Sequence, residues 1–498
     1  MPYKPVILLT DALIFMLVGG LLVFVWYVRR HEHLLAPWRR VARNASGMSA
    51  LTVFIFFVAV GLLDSIHYRP AIPDKQGRLI YAVEVLSVFD KMASHLRERR
   101  ATTYSAPLAT HRFTKELMEL PDGRQVRDYP RLMYGGAHLK DSDRDWAGDV
   151  ARRALAGFAY AALAWLVLAT LVSAQLARRH EANTETTWKS IWRSDTEVPW
   201  RAILVTLAVV LAVIGPVIAL SLKYHVFGTD KTGQDVLYQA LKSIRTGLVI
   251  GTLTTLVMLP FALLLGIMAG YFRGWVDDAI QYLYTTLSSI PGVLLIAAAV
   301  LMMQVYIETR PELFETTVER ADFRLLMLCL ILGVTSWTGL CRLLRGEALK
   351  LREMEYIQAA HAFGVSHWRI ATRHILPNVM HIVLIAIVMD FSGLVLAEAV
   401  LSYVGVGVDP STTSFGTMIN SARLEMAREP MVWWSLAAAF GFMLVMVLSA
   451  NLFADAVRDA FDPRIRGRTL SRKDIAQRLA AALQRMPAAE RTAGRART

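Results

Sequence analysis

The sequence predicts an all-α integral membrane protein, and three observations predict it. Of its 498 residues, 55% are hydrophobic, and the mean hydropathy is +0.39, too apolar for a soluble chain of this size. The apolar residues gather into runs of about 20, the length that crosses roughly 30 Å of hydrocarbon as a helix. Backbone polar groups in lipid must be paired within their own segment, so such runs are helices and not loops or open strands.

Nine runs are expected to span, at about 6–28, 49–66, 154–176, 201–222, 246–270, 283–305, 324–343, 379–401 and 432–454. The first has only Lys4 as a basic flank and no small-residue cleavage site, so it reads as a span and not as a removed leader. Trp and Tyr near span ends read as interface anchors.

The net charge of +13 is concentrated. Arg29, Arg30, Arg39, Arg40 and Arg43 follow the first run, Arg178, Arg179, Lys189 and Arg193 follow the third, and ten Arg or Lys lie beyond Asp462. Basic loops stay cytoplasmic. The expected orientation is therefore N-terminus outside and C-terminus inside, with the long loop 67–153 outside. This placement accounts for the basic balance without nucleic acid as a partner.

The residues show no catalytic apparatus. Cys329 and Cys341 share one predicted span, about 18 Å apart along a helix axis, so no disulfide joins them. Gly228-Thr229-Asp230-Lys231-Thr232-Gly233 lacks the Lys-Ser/Thr of a nucleotide-binding loop. No metal-ligand spacing is present.

Five segments follow: 1–66, an N-terminal extension with two spans; 67–153, an external loop subdomain with an amphipathic helix at about 80–99 and a turn at Pro121-Asp122-Gly123; 154–200, a third extension helix and cytoplasmic linker; 201–462, a six-span core; and 463–498, a basic tail, partly helical around 472–486.

The core carries four distinctive islands in order. They are Phe227-Gly228-Thr229-Asp230 with Gly233-Gln234-Asp235; Gly266, Ala269-Gly270-Tyr271, Gly274 and Asp277-Asp278; Gln358-Ala359-Ala360 with Gly364, Ile370 and Leu376-Pro377-Asn378; and Glu398-Ala399 with Leu401-Ser402-Tyr403-Val404-Gly405 and Gly407, followed later by Arg458-Asp459-Ala460-Phe461-Asp462-Pro463. Over about 260 residues the core resembles the membrane (permease) subunit of a binding-protein-dependent ABC importer, in the dipeptide/oligopeptide/nickel branch. Gln358 stands where the family often has Glu, and Gln234 where many members have Arg. The resemblance implies the type I ABC importer fold in the bacterial inner membrane. It also implies a second homologous permease subunit, two ATPase subunits that carry ATP-Mg, and an extracytoplasmic solute-binding protein. This chain itself is expected to bind no cofactor or metal and to catalyse nothing.

The third island has its own physics. Residues 347–361 are good helix formers, with Tyr356, Ala359 and Ala360 close together and Phe363 near. Gly364 suits a left-handed stop, Val365–Ile375 reads as a second short helix, and Pro377 as the start of the next span. Held in water between two spans, this elbow can dock on a soluble partner. The resemblance implies that the 347–376 loop, through Tyr356, Gln358, Ala359, Ala360, Phe363, Gly364, Ile370 and Pro377, couples to an ATPase.

Asp390 lies mid-span, where an ionisable group is costly unless it faces a cavity or a partner. It reads either as a pathway group that meets a cationic amine or as a hydrogen-bond partner of Thr335 or Ser336. Glu398 reads as pathway lining or as structural pairing, and Asp11 as interfacial. Gly228, Asp230, Asp235, Gly405 and Gly407 are placed to gate the pathway or to contact the binding protein. The leading function is transport of peptides by alternating access. The alternatives are an ion-coupled secondary transporter or channel using Asp390 and Glu398, and a membrane scaffold or sensor working through 67–153.

Overall fold

The computed structural model describes residues 3–73, 79–119, 125–179, 181, 183–314 and 316–461. The tail and the Pro121-Asp122-Gly123 turn lie outside the described residues. Among these, eight helices are long and apolar enough to cross a membrane, and a bent pair makes up to nine.

The extension begins with β1 (Tyr3–Val6), α1 (Leu9–Arg30), α2 (Glu32–Arg43) and α3 (Ala45–Asp64). β2 (His67–Pro73) then returns antiparallel to β1, with Tyr3 opposite Pro70. This pairing puts the start of α1 and the end of α3 on one side. β3 (Leu79–Tyr81) and β4 (Leu86–Ser87) also pair with β2, and α4 (Val88–Met92) and α5 (Ser94–Glu98) follow. The amphipathic helix expected over 80–99 is therefore two strands and two single-turn helices. Strand pairing takes the first half, and a capping box at Ser87, closed by Asp90, starts helix only at Val88.

A hairpin of β5 (Glu116–Glu119) and β6 (Gln125–Asp128) precedes the long α6 (Ser142–Arg179) and the short α7 (Thr184–Arg193). The core opens with α8 (Trp200–Ser221). Here α6 crosses α8 at backbone contact, for a Cβ on Gly157 would stand 2.6 Å from the Gly215 carbonyl oxygen. Glycine at both positions makes that close approach possible.

Next come α9 (Val236–Phe272), α10 (Gly274–Ser289) and α11 (Gly292–Glu308). The run expected to span at 283–305 is not one rod, because α10 and α11 meet at 86°. Pro291 holds Ile290 extended between them. α12 (Thr317–Ser336) continues through Trp337 into α13 (Thr338–Arg352). α14 (Glu355–Ala362) and α15 (His367–Ile370) form the elbow, and α15 runs through a widened turn at 371–375 into α16 (Leu376–Val404). Pro377 offers no N–H, and the wide turn sits just ahead of it. The second elbow helix is therefore the first turn of the next span and not a separate piece. α17 (Phe415–Glu425) and α18 (Trp434–Phe461) complete the described fold.

The extension is not a loose appendage. Asp11, expected at the interface, is only 1% exposed. It bonds His67 Nδ1 at 2.7 Å and Arg245 of α9 at 2.6 Å. Arg245 also faces Asp322 of α12 at 3.6 Å, and the Thr10 backbone N–H donates to that carboxylate. Lys242, one turn away, pairs with Asp90 at 2.6 Å and Asp64 at 3.2 Å, while the Tyr238 hydroxyl donates to Asp90. Apolar span ends would leave these groups unpaired in lipid. Together four carboxylates, one guanidinium and one ammonium close a clasp between α1, α3 and α4 of the extension and α9 and α12 of the core.

Candidate functional site

The site is built on α9 and α13, which lie side by side at the elbow end. A Cβ on Gly266 would stand 2.9 Å from the Cys341 carbonyl oxygen, and one on Gly270 would stand 2.6 Å from that of Arg345. The second sequence island therefore supplies bare backbone for close helix packing. Its Asp277 takes a bidentate pair from Arg345 at 2.5 and 2.7 Å, and Arg273 reaches Glu353 at 2.6 Å. Both pairs fix α10 and the 273 turn to the helix that leads into the elbow.

The elbow turns at Gly364, whose φ of +72° is left-handed, the conformation expected of a glycine stop. Ile357, Ile370 and Ile375 are buried and join the cluster of Leu344, Ala348 and Val379. Tyr271 shares a hydrogen bond with His367 at 2.8 Å, and Asn378 donates to the Tyr356 hydroxyl, closing the two arms. Gln358 donates to the Glu353 carbonyl, and Pro377 lies in the first turn of α16. Ala360 is half-buried against the core, whereas Ala359 is exposed. Phe363 is 87% exposed and Trp368 71%, with Tyr356 and Met354 also exposed. Three buried isoleucines thus anchor a surface on which Phe363 and Trp368 stand exposed. An exposed aromatic cluster on a pinned backbone is the form of a protein-docking surface.

Beside the elbow a cavity of about 1030 Å³ runs between α9, α12, α13, α16 and α18. Asp390 lies on its wall, with Ser336, Gly339 and Gly393. Among the described residues, Asp390 bonds neither Thr335 nor Ser336, the two partners expected for it, and the Thr335 hydroxyl donates instead to carbonyls of its own helix, at Ile331 and Leu332. Glu398 is elsewhere. It is 1% exposed and accepts hydrogen bonds from Ser402 at 2.7 Å and Ser414 at 2.8 Å. It ties α16 to the cap of α17 and does not line this cavity.

The first sequence island is covered. Gly228 and Gly233 have positive φ, and Cβ atoms there would strike the Ser105 and Ala101 carbonyl oxygens. Asp235 caps α9 through the Leu237 N–H and bonds His225 at 2.7 Å, fully buried. Asp230 organises its own turn, accepting from Thr232, Gln234 and Gln239. Gly228 and Asp235, expected to gate the pathway or to contact the binding protein, are buried, Gly228 against the Ser105 carbonyl and Asp235 against His225. Gly405, at φ +88°, ends α16 and stays exposed, while Gly407 is buried against Ser402.

Sequence reasoning missed Lys242, Arg245, Asp64, Asp90 and Asp322. Their signal was charge placed just inside or beside span ends with no external reason to be there.

The fold is that of a multi-pass helical membrane protein. Residues 262–467 match the sequence profile of the binding-protein-dependent transport system inner membrane component. The chain is 31% identical over 242 residues to the oligopeptide transport system permease protein OppC of Mycobacterium tuberculosis, covering 49% of this chain and 77% of that one. It is 30% identical over 240 residues to the dipeptide transport system permease protein DppC of Lactococcus lactis, covering 48% of this chain and 64% of that one. It is also 30% identical over 244 residues to the glutathione transport system permease protein GsiD of Pectobacterium atrosepticum, covering 49% and 73%. The chain belongs to the family of permease subunits of binding-protein-dependent ABC importers, in the dipeptide/oligopeptide branch, with the type I importer fold. It is a multi-pass inner-membrane protein.

Proposed function

We propose that this chain forms half of a solute pathway in an ATP-driven importer, with peptides as the solute. The observation that carries this reading is the exposed aromatic face of the elbow, held by buried Ile357 and Ile370. ATP-Mg sits on two separate ATPase subunits, which dock on Tyr356, Ala359, Phe363 and Trp368. The elbow is continuous with α13 on one side and α16 on the other. A push on it therefore moves two helices that wall the cavity. Alternating access follows if a second homologous permease closes the other side and an extracytoplasmic binding protein delivers solute. The basic residues that follow α1 and α6, with those of the tail, support an elbow in the cytoplasm and an N-terminus outside. The division at 200, with a core over 201–462, is part of this reading.

Ala359→Glu combined with Phe363→Glu tests it. Both positions are exposed, so the fold should hold while the apolar face gains two charges. Loss of ATPase co-purification and of solute uptake, with unchanged thermal stability, is the expected result. Retention of both would refute the docking surface.

A further inference from the structure

The cavity beside the elbow has a polarity that the family reading does not explain. Five charged or titratable side chains reach it: Glu347, Lys350, His381, Asp390 and Arg458. Glu347 and Lys350 pair with each other at 3.0 Å, and His381 Nδ1 lies 2.8 Å from the Asn378 carbonyl. That leaves one carboxylate and one guanidinium. Among the described residues, neither Asp390 nor Arg458 makes a hydrogen bond or ion pair. Both line the cavity without a protein partner, Asp390 half-buried at mid-span and Arg458 exposed near the inner end of α18.

Their offset along the helix axes follows from register. Ser392 of α16 donates to Asn451 of α18 at 2.6 Å, which sets the two antiparallel helices level. Asp390 is two residues inward from that level and Arg458 is seven. The difference, five residues of helical rise, is about 7.5 Å along the axis. A peptide's two charged ends are separated by about 3.3–3.6 Å for each extended residue, so this offset matches two residues and, with side-chain reach, three. The remaining wall is apolar or small, with Met258, Leu340, Ile385 and Ala397. It would accept varied side chains without reading them.

We propose that Asp390 and Arg458 are paired end-anchors for a short zwitterionic peptide. The carboxylate holds the α-ammonium group and the guanidinium holds the α-carboxylate. This rests on the importer reading and adds what it lacks, namely which side chains touch the solute and what length they favour.

The test uses the complete transporter in membrane vesicles, with its ATPases and binding protein. The probes are dialanine, N-acetyl-dialanine, dialanine amide and pentaalanine, each radiolabelled. Wild-type uptake should favour free dialanine over both blocked forms. Asp390→Asn should cut the preference over the acetylated form by about tenfold or more, the scale of a charge-assisted hydrogen bond, and leave the amide preference alone. Arg458→Gln should do the reverse. Asp390→Glu should keep the wild-type ratio, which guards against a variant that simply folds poorly. Pentaalanine uptake should not respond to either substitution. The binding protein is the same throughout, so a changed ratio can come only from the permease. Unchanged ratios in both variants, or loss of all uptake in Asp390→Glu as well as Asp390→Asn, would overturn the anchors and leave the importer reading intact. A wild-type transporter that moves no peptide would overturn the peptide reading itself, and the anchors with it.

Discussion

The clasp end and the elbow end of this molecule treat their polar and aromatic groups in opposite ways. At the clasp, Asp11, Asp64, Asp90, Lys242, Arg245 and Asp322 are consumed in bonds between the extension and the core. Even the core's own turn, Gly228 to Gly233, lies under the extension. At the other end, the elbow is pinned by three isoleucines and leaves Phe363 and Trp368 uncovered. The difference teaches where a second protein would find a free surface. The clasp has satisfied its strong interactions internally, whereas the elbow holds its shape and keeps its apolar groups exposed.

Substitutions can break this contrast. The largest effect is expected at Arg245→Ala, which takes the guanidinium from two buried carboxylates and leaves Asp11 with His67 alone and Asp322 with Thr10 alone. Removing one partner of such a cluster costs about 3–5 kcal/mol, and a large fall in melting temperature in detergent is the check. Next is Gly270→Val, whose Cβ would collide with the Arg345 backbone. Overpacking of this kind costs about 1–3 kcal/mol, and the same melt should show a smaller loss.

Acid sharpens the comparison. Burial alone would raise the Asp90 carboxyl, but the Lys242 ammonium and the hydrogen bonds from Lys242, Ser87 and Tyr238 outweigh it and hold it below the usual carboxylate range. A carboxyl lowered in the folded state contributes stability above its ordinary value of about 3.9, and that stability is lost as pH falls through the folded value. Below about pH 4 the wild type should therefore lose stability more steeply than Asp90→Asn, in melts taken across a pH series.

Glu425 is the opposite case and the smallest effect. Burial raises its carboxyl despite the Tyr104 hydrogen bond, and its Oε2 has no partner. A raised carboxyl contributes most below its unfolded value of about 4.3 and loses that contribution as pH rises toward the folded one. Glu425→Gln should thus stabilise the protein slightly at pH 7, and a neutral-pH melt that falls instead would contradict this.

Much of the elbow was legible from residues alone. Gly364 announced a left-handed stop, and helix formers before it announced α14, because those signals are local. The clasp was not legible. Asp11 and Arg245 lie 234 positions apart, and each alone resembles an ordinary polar residue at a span end. The break between α10 and α11 was within reach, since Ser289-Ile290-Pro291-Gly292 is a turn signal inside an apolar run. Hydropathy averaged over it. The roles of Gly266 and Gly270 emerge only once α13 is known to be their neighbour.

The central claim is that the elbow face is free in this chain and covered in the assembled transporter. Phe363→Cys, labelled with a membrane-impermeant maleimide in inside-out vesicles, tests it directly. Cys329 and Cys341 are buried and should contribute little background. The account expects rapid labelling of the chain alone and strong protection once the ATPase subunits are co-expressed. Equal labelling in both preparations would contradict it.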